Sequence, residues 1–336
     1  MCKIRRSSPQ VPEMGLIPRC RLGTYERPFT NTGMDYFGPM FVSVGCRRET
    51  RYGVLFTCLT TRAVHLELAG GLTTDSCIMS IRKLIGRCGC PREIHSDNGT
   101  NFRGAAKELR AAILTFDQTR IFKECVSRGI EWLFNPPMCP HMGGSWERLI
   151  RSVKKALEVT LREQCPKEET LYTLFVEAEC LVNSRPLTNV SLDAADDSAL
   201  TPNHFLIGSS DVTPAPGCFN WRIDTNLKSS WRTSQALADQ FWQRWVREYL
   251  PSLTRRTKWN SRTEPVKVDD IAIIVDEGLP RGRWDRGRIV AIHPGPDGII
   301  RVVDIKTQSG VYRRPVSRLC ILDVEAEEKE KVAQST

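Results

Sequence analysis

No apolar run in the sequence approaches the length a bilayer-spanning helix needs. The basic, proline-containing start has no apolar core of the kind a signal peptide carries. A chain of the cell interior with no membrane partner is therefore expected. A P-loop, a nucleophilic serine elbow and an internal repeat are also missing. Two cysteine groups, Cys88-Gly89-Cys90 and Cys139-Pro140-His141, lack the two-residue gap of a structural zinc knuckle, and Cys20 stands without a partner. Thirteen cysteines, an odd and scattered set, read as reduced thiols and not as a disulfide framework.

What is present is a chain of 336 residues, 40% apolar and 26% charged, long enough for two or three domains with at least one sizeable core. Lys and Arg number 48 against 39 Asp and Glu, a net charge of +9, which points to a polyanionic partner, nucleic acid first.

Residues 1–30 hold many Arg and Pro without periodicity and read as an extended lead-in. Strand patterns then occupy 34–44, 52–60 and 63–68, close enough in sequence for an antiparallel meander. Thr73-Thr74-Asp75 opens a helix whose apolar residues Ile78, Ile81, Leu84 and Ile85 recur until Gly86 and Gly89 stop it. A fourth strand, 92–96, delivers Asp97 into the turn Asp97-Asn98-Gly99. Helices are expected over 102–115 and 117–128, and a fifth strand over 130–135. A long helix is expected after Gly143-Gly144-Ser145, with Ser145 as N-cap and Glu147 in the first turn. Its buried stripe is Leu149, Ile150, Val153, Ala156 and Leu157. A further helix spans about 167–183.

The expected fold class is α/β: a mixed sheet flanked by helices over 31–188, a helical connector with a basic helix over 189–262, and a small SH3-like β-barrel over 263–322. Residues 323–336 read as a disordered charged tail.

Three acidic residues stand at informative places: Asp35 in the first strand, Asp97 after the fourth, and Glu147 at the start of the long helix. If strands one and four are neighbours, these carboxylates converge. Three carboxylates holding two Mg²⁺ (or Mn²⁺) form a site for in-line displacement at phosphorus, and oxygen-only ligands suit those ions over zinc. By itself Asp97-Asn98-Gly99 is also an ordinary turn, and the charged sector of the long helix could be a solvated face.

Three blocks carry a resemblance. Met34-Asp35-Tyr36-Phe37-Gly38-Pro39, His95-Ser96-Asp97-Asn98-Gly99-Thr100-Asn101-Phe102 and Pro140-His141-Met142-Gly143-Gly144-Ser145-Trp146-Glu147-Arg148 resemble a retroviral-type integrase core, in the version found in BEL/Pao-type LTR retrotransposons. The likeness covers about residues 2–322, since 231–322 resembles the C-terminal region of those elements. It implies an RNase H-like core and Asp35, Asp97 and Glu147 as both catalytic triad and metal ligands. It also implies metal-dependent 3′-end processing and strand transfer of element DNA into target DNA, a homo-oligomer on double-stranded DNA, and a nuclear site of action. Asn98 would steady the turn and belong to the DNA-binding residues. Arg148, Arg151, Lys154 and Lys155 on the long helix, and Arg286, Arg288, Arg313 and Arg314 in the barrel, would contact DNA.

There are two departures from the family pattern. Forty-nine residues separate Asp97 from Glu147, longer than in retroviral integrases, as expected of the extra helix at 117–128. The zinc module that precedes such cores is missing, with Cys2 its last remnant. The alternative is therefore a domesticated or truncated relic that binds DNA or chromatin without strand transfer. A stand-alone nuclease would leave the barrel unexplained.

Overall fold

The computed structural model describes residues 19–23, 25–97, 115–135, 140–187, 200–209, 230–253, 266–275, 281–282, 284–307 and 309–321. At its centre lies β1 (Asn31–Val44), whose alternate residues face opposite layers. Met34 and Tyr36 join one buried cluster, while Phe37, Met40 and Val42 join the other. β1 pairs antiparallel with β2 (Arg47–Cys58), and β2 pairs with β3 (Val64–Ala69), the meander that the short separations predict. On its other side β1 pairs parallel with β4 (Glu93–Asp97), which pairs parallel with β5 (Glu131–Asn135). The sheet order is β3-β2-β1-β4-β5, an RNase H-like mixed sheet.

Helices cover both faces. On one lie α1 (Thr74–Cys88) and α2 (Gln118–Val126), which bury Cys77, Ile81, Leu84, Ile121 and Cys125 against Val54, Phe56 and Ile94. Thr73 caps α1, its hydroxyl accepting the Ser76 N–H at 3.1 Å. Gly86 does not stop this helix; the chain runs on to Cys88. Gly89, at φ +85°, ends it and donates its N–H to the Ile85 carbonyl. The helix expected over 102–115 falls almost wholly outside the described residues.

The opposite face carries α3 (Pro140–Leu161) and α4 (Glu168–Asn183), whose apolar stripes meet Leu55, Leu66 and Leu68. α4 also protects the free edge of β3. Asn183 accepts from the Val64 N–H at 2.8 Å and donates to the Val64 carbonyl at 2.7 Å, and Glu179 accepts from the Leu66 N–H at 2.9 Å. After the short α5 (Pro202–Ile207) comes α6 (Ser230–Leu253), packed on α3 and α4. Its Leu237, Phe241, Trp242, Trp245 and Tyr249 are buried in the same core, so this helix, read from sequence as part of a basic connector, completes the first sheet's hydrophobic layer.

The second sheet consists of β6 (Ile271–Ile274), β7 (Arg286–Pro294), β8 (Ile300–Thr307), β9 (Gly310–Pro315) and β10 (Leu319–Ile321). It is antiparallel in the order β10-β6-β7-β8-β9 and curls as a half-barrel; no ladder between β9 and β10 closes it among the described residues. Leu250 of α6 packs against Ile273 and Cys320, and Trp284 packs edge-on against Trp242 and Trp245 with ring centroids 5.1 and 5.6 Å apart. No described helix is long and apolar enough to cross a membrane.

Candidate catalytic site

The β1–β4 ladder is the foundation of the site. Its last paired residues are Met34 and Ser96, so Asp35 and Asp97 follow side by side where the pairing ends. Neighbouring strands lie about 4.8 Å apart. Asp35 alternates with Met34, whose side chain points to the α1 layer, so Asp35 projects to the α3 face. By the same alternation, with Ile94 buried against α1, position 97 falls on that face too. Asn135 stands opposite Asp97 on β5.

α3 lies across this face. It begins at Pro140, not after Ser145, so position 147 lies two turns into the helix instead of in its first turn. Proline is pre-organised for a first helical position, which accounts for the earlier start, and Gly143 and Gly144 are carried inside the helix at some cost in stability. At 3.6 residues per turn, positions 147 and 154 share one face of α3. Lys154 reaches the sheet from there: its ammonium pairs with Asp35 Oδ2 and donates to the Tyr36 carbonyl at 2.8 Å. A half-buried carboxylate that already accepts a cation suits a metal-ligand role, and the donor set of Asp35, Asp97 and Glu147 is all oxygen, as Mg²⁺ or Mn²⁺ prefers. The side chains of Asp97 and Glu147, and all of Asn98, lie outside the described residues.

Of the basic residues expected at DNA, Arg148, Arg151 and Lys155 are exposed along α3, whereas Lys154 is turned inward to Asp35. In the half-barrel, Arg288 pairs with Asp269 at 3.1 Å, Arg313 holds both oxygens of Asp304 at 2.7 and 3.1 Å, and Arg314 lies 5.6 Å over the Tyr312 ring. Arg286 stands at the start of β7, half-exposed. The first set lies on α3 and the second on strands of the half-barrel.

Sequence reasoning missed two features. The Asp35–Lys154 pair spans 119 positions, beyond any local signal. Cys20, read as lacking a partner, lies beside Glu93 and His95 of β4. The alternation of Glu93, His95 and Asp97 along one strand face was the available clue to a shared surface.

Comparison with known proteins adds the following. A model of a family of unknown function, DUF5641, matches residues 229–322. No curated protein sequence matches the chain. Among solved structures the chain is similar to a simian T-cell lymphotropic virus intasome in complex with PP2A regulatory subunit B56 gamma. That likeness has 13% identity and a TM-score of 0.37, and covers 93% of this chain and 85% of that one. It is also similar to the catalytic core domain of BIV integrase, with 17% identity and a TM-score of 0.35, over 54% of this chain and 95% of that one.

Proposed function

We propose that this chain is an integrase of the BEL/Pao retrotransposon type, which trims a DNA 3′ end and joins it to target DNA. The observation that carries the reading is the register of β1 and β4, with Asp35 and Asp97 adjacent on the face crossed by α3. Asp35, Asp97 and Glu147 would hold two Mg²⁺ (or Mn²⁺), which when bound supply Lewis-acid activation of the attacking oxygen and stabilisation of the leaving one. Water is the nucleophile in trimming, and the exposed 3′-hydroxyl is the nucleophile in joining.

The chain's own residues orient the DNA. Arg148, Arg151 and Lys155 project from the exposed side of α3, where they can hold phosphates beside the acidic residues; such contacts set position and carry no direct sequence readout. Lys154, anchored on Asp35, neutralises that carboxylate until a metal or a phosphate competes for one partner of the pair. Arg286, Arg288, Arg313 and Arg314 would meet DNA farther along the duplex. Residues 31–188 would form the catalytic unit and 263–322 the DNA-binding one, joined through 189–262, and a homo-oligomer would bring two element ends to one target in the nucleus.

The test is a strand-transfer assay on labelled duplex oligonucleotides with Mg²⁺ or Mn²⁺. Wild type should give joined product. Asp97→Asn and Asp35→Asn should each lower its rate by at least about a thousandfold while DNA affinity changes little. Absence of any metal-dependent product from wild type, with DNA binding retained, would overturn the catalytic reading in favour of a DNA-binding relic. Cleavage without joining would mark a nuclease instead.

A further inference from the structure

Glu93 and His95 are two residues apart on β4, so they share the strand face that continues to Asp97. Against them lies Cys20, in a 3-10 turn (Arg19–Arg21) of the lead-in segment, more than seventy positions earlier in the chain. The three potential ligand atoms, one each of sulfur, nitrogen and oxygen, all lie within 4.8 Å of one another. His95 Nε2 and Glu93 Oε2 are 3.1 Å apart. Bond lengths of about 2.0–2.2 Å to zinc at a tetrahedral angle call for roughly 3.3 Å between such atoms, so this pair is already spaced to hold one ion. Bringing the Cys20 sulfur into the same shell needs a contraction of at most about 1.3 Å from the 4.8 Å limit, within the reach of a χ1 adjustment.

The position of Cys20 is set by neighbours other than the cluster. Glu26 pairs with Arg92 at 2.7 Å and accepts from Asn31 at 2.9 Å. Arg27 donates to the carbonyls of Cys88 and Cys90 at the end of α1. Thr60 donates to the Cys20 carbonyl at 3.4 Å. The lead-in is thus pinned across the entry ends of β1 and β4, and its one described cysteine meets the β4 pair. Arg92 Nε lies 3.6 Å from Glu93 Oε1, which leaves Oε2, the oxygen nearer His95, as the ligand atom.

We propose that Cys20, Glu93 and His95 form a transition-metal site of the zinc class that clamps the lead-in segment onto the strand ending at Asp97. Thiolate and imidazole select zinc or cobalt over Mg²⁺, so this site and the all-oxygen carboxylates near Asp97 take different ions. Three protein ligands leave a fourth position for water. On binding, the Cys20 proton leaves to solvent and the thiolate joins the ion, with no redox change. The clamp is independent of whether the chain performs strand transfer.

The test is titration of the full chain with Co²⁺ in the presence of excess Mg²⁺, followed by absorption. One equivalent should produce a thiolate-to-cobalt charge-transfer band that Mg²⁺ does not displace. Cys20→Ser should abolish the band with an unchanged circular dichroism spectrum. Glu93→Gln, which keeps the thiolate, should weaken Co²⁺ binding by at least about tenfold, and Asp97→Asn should leave band and affinity intact. Zn²⁺ should raise the melting temperature of wild type by more than that of Glu93→Gln at the same Zn²⁺ concentration. No band in wild type, a band that survives Cys20→Ser, or a band lost in Asp97→Asn would each overturn the assignment.

Discussion

Each of the two sheets carries a histidine hydrogen-bonded to a carboxylate that also pairs with arginine, and the two clusters differ chiefly in their access to water. In the first sheet His65 Nε2 lies 3.2 Å from Glu67 and its Nδ1 lies 3.0 Å from Glu179, while Arg87 reaches Glu67 at 2.9 Å and Lys83 at 3.4 Å. His65 is 3% exposed and Glu67 is 0% exposed. In the second sheet His293 lies 2.8 Å from Asp304, which Arg313 grips with two nitrogens, but the His293 side chain is 39% exposed and the Arg313 side chain 66%. The same chemistry is therefore structural in one place and adjustable in the other. A buried charge that loses its partner has no water to fall back on, whereas an exposed one exchanges its partner for solvent or for a ligand.

The largest effect should come from breaking the buried cluster. Burial works against the Glu67 charge, yet the His65 hydrogen bond and the charges of His65, Lys83 and Arg87 hold its pKa below the ordinary carboxylate range. Glu67→Gln leaves His65 with Glu179 alone and strips Arg87 of its carboxylate, so a loss of about 3–5 kcal/mol in unfolding free energy is expected by urea denaturation. A loss below about 1 kcal/mol would show that water enters the cluster and would erase the contrast between the sheets.

A smaller effect should follow pH. Burial alone would lower the His65 pKa, but hydrogen bonds to Glu179 and Glu67 and their charges raise it from 6.5 to about 9. A folded pKa above the unfolded one means that protonated His65 adds stability in full below about pH 6.5 and loses it as pH rises through about 9. The stability of wild type should therefore fall by about 1–3 kcal/mol between pH 6.5 and 9.5, and His65→Gln should flatten that slope. Retention of the full slope in His65→Gln would assign it to another group.

Much of the first sheet was legible because its central strands are short apolar and aromatic runs, buried on both faces and bounded by turns. Met34 against Phe37 shows two faces, and Thr73 and Asp97 mark a helix start and a strand end. The pairing of β1 with β4 entered the sequence reading only as the condition under which the three carboxylates meet, and the structure has that pairing. The long-range contacts were not legible, because Lys154 on Asp35 and Cys20 beside His95 depend on tertiary placement and leave no local period. For α6 the sequence shows a helix but not what its apolar face covers. Its arginines suggested a basic surface, while Phe241, Trp242 and Trp245, at spacings of one and three, carry the face that seals the first core and stacks with Trp284. The start of α3 was placed late because Gly143-Gly144 reads as a breaker, whereas Pro140 opens the helix.

The smallest effect, and the one that bears most on DNA, is expected at the exposed cluster. The Arg313 and His293 hydrogen bonds hold the Asp304 carboxyl well below its usual range, so Asp304 is charged at any working pH and, on the proposed function, would compete with DNA phosphate for Arg313. Asp304→Asn should weaken that competition without changing the melting temperature measurably, and DNA affinity at low salt should rise by a factor of about two to five, the scale of one exposed ion pair. Arg313→Ala should weaken binding about equally for all DNA sequences and reduce the salt-dependence slope by about one. If Asp304→Asn lowers affinity instead, the carboxylate orients Arg313 toward the phosphate and does not compete for it. The second sheet would then hold its charges as firmly as the first.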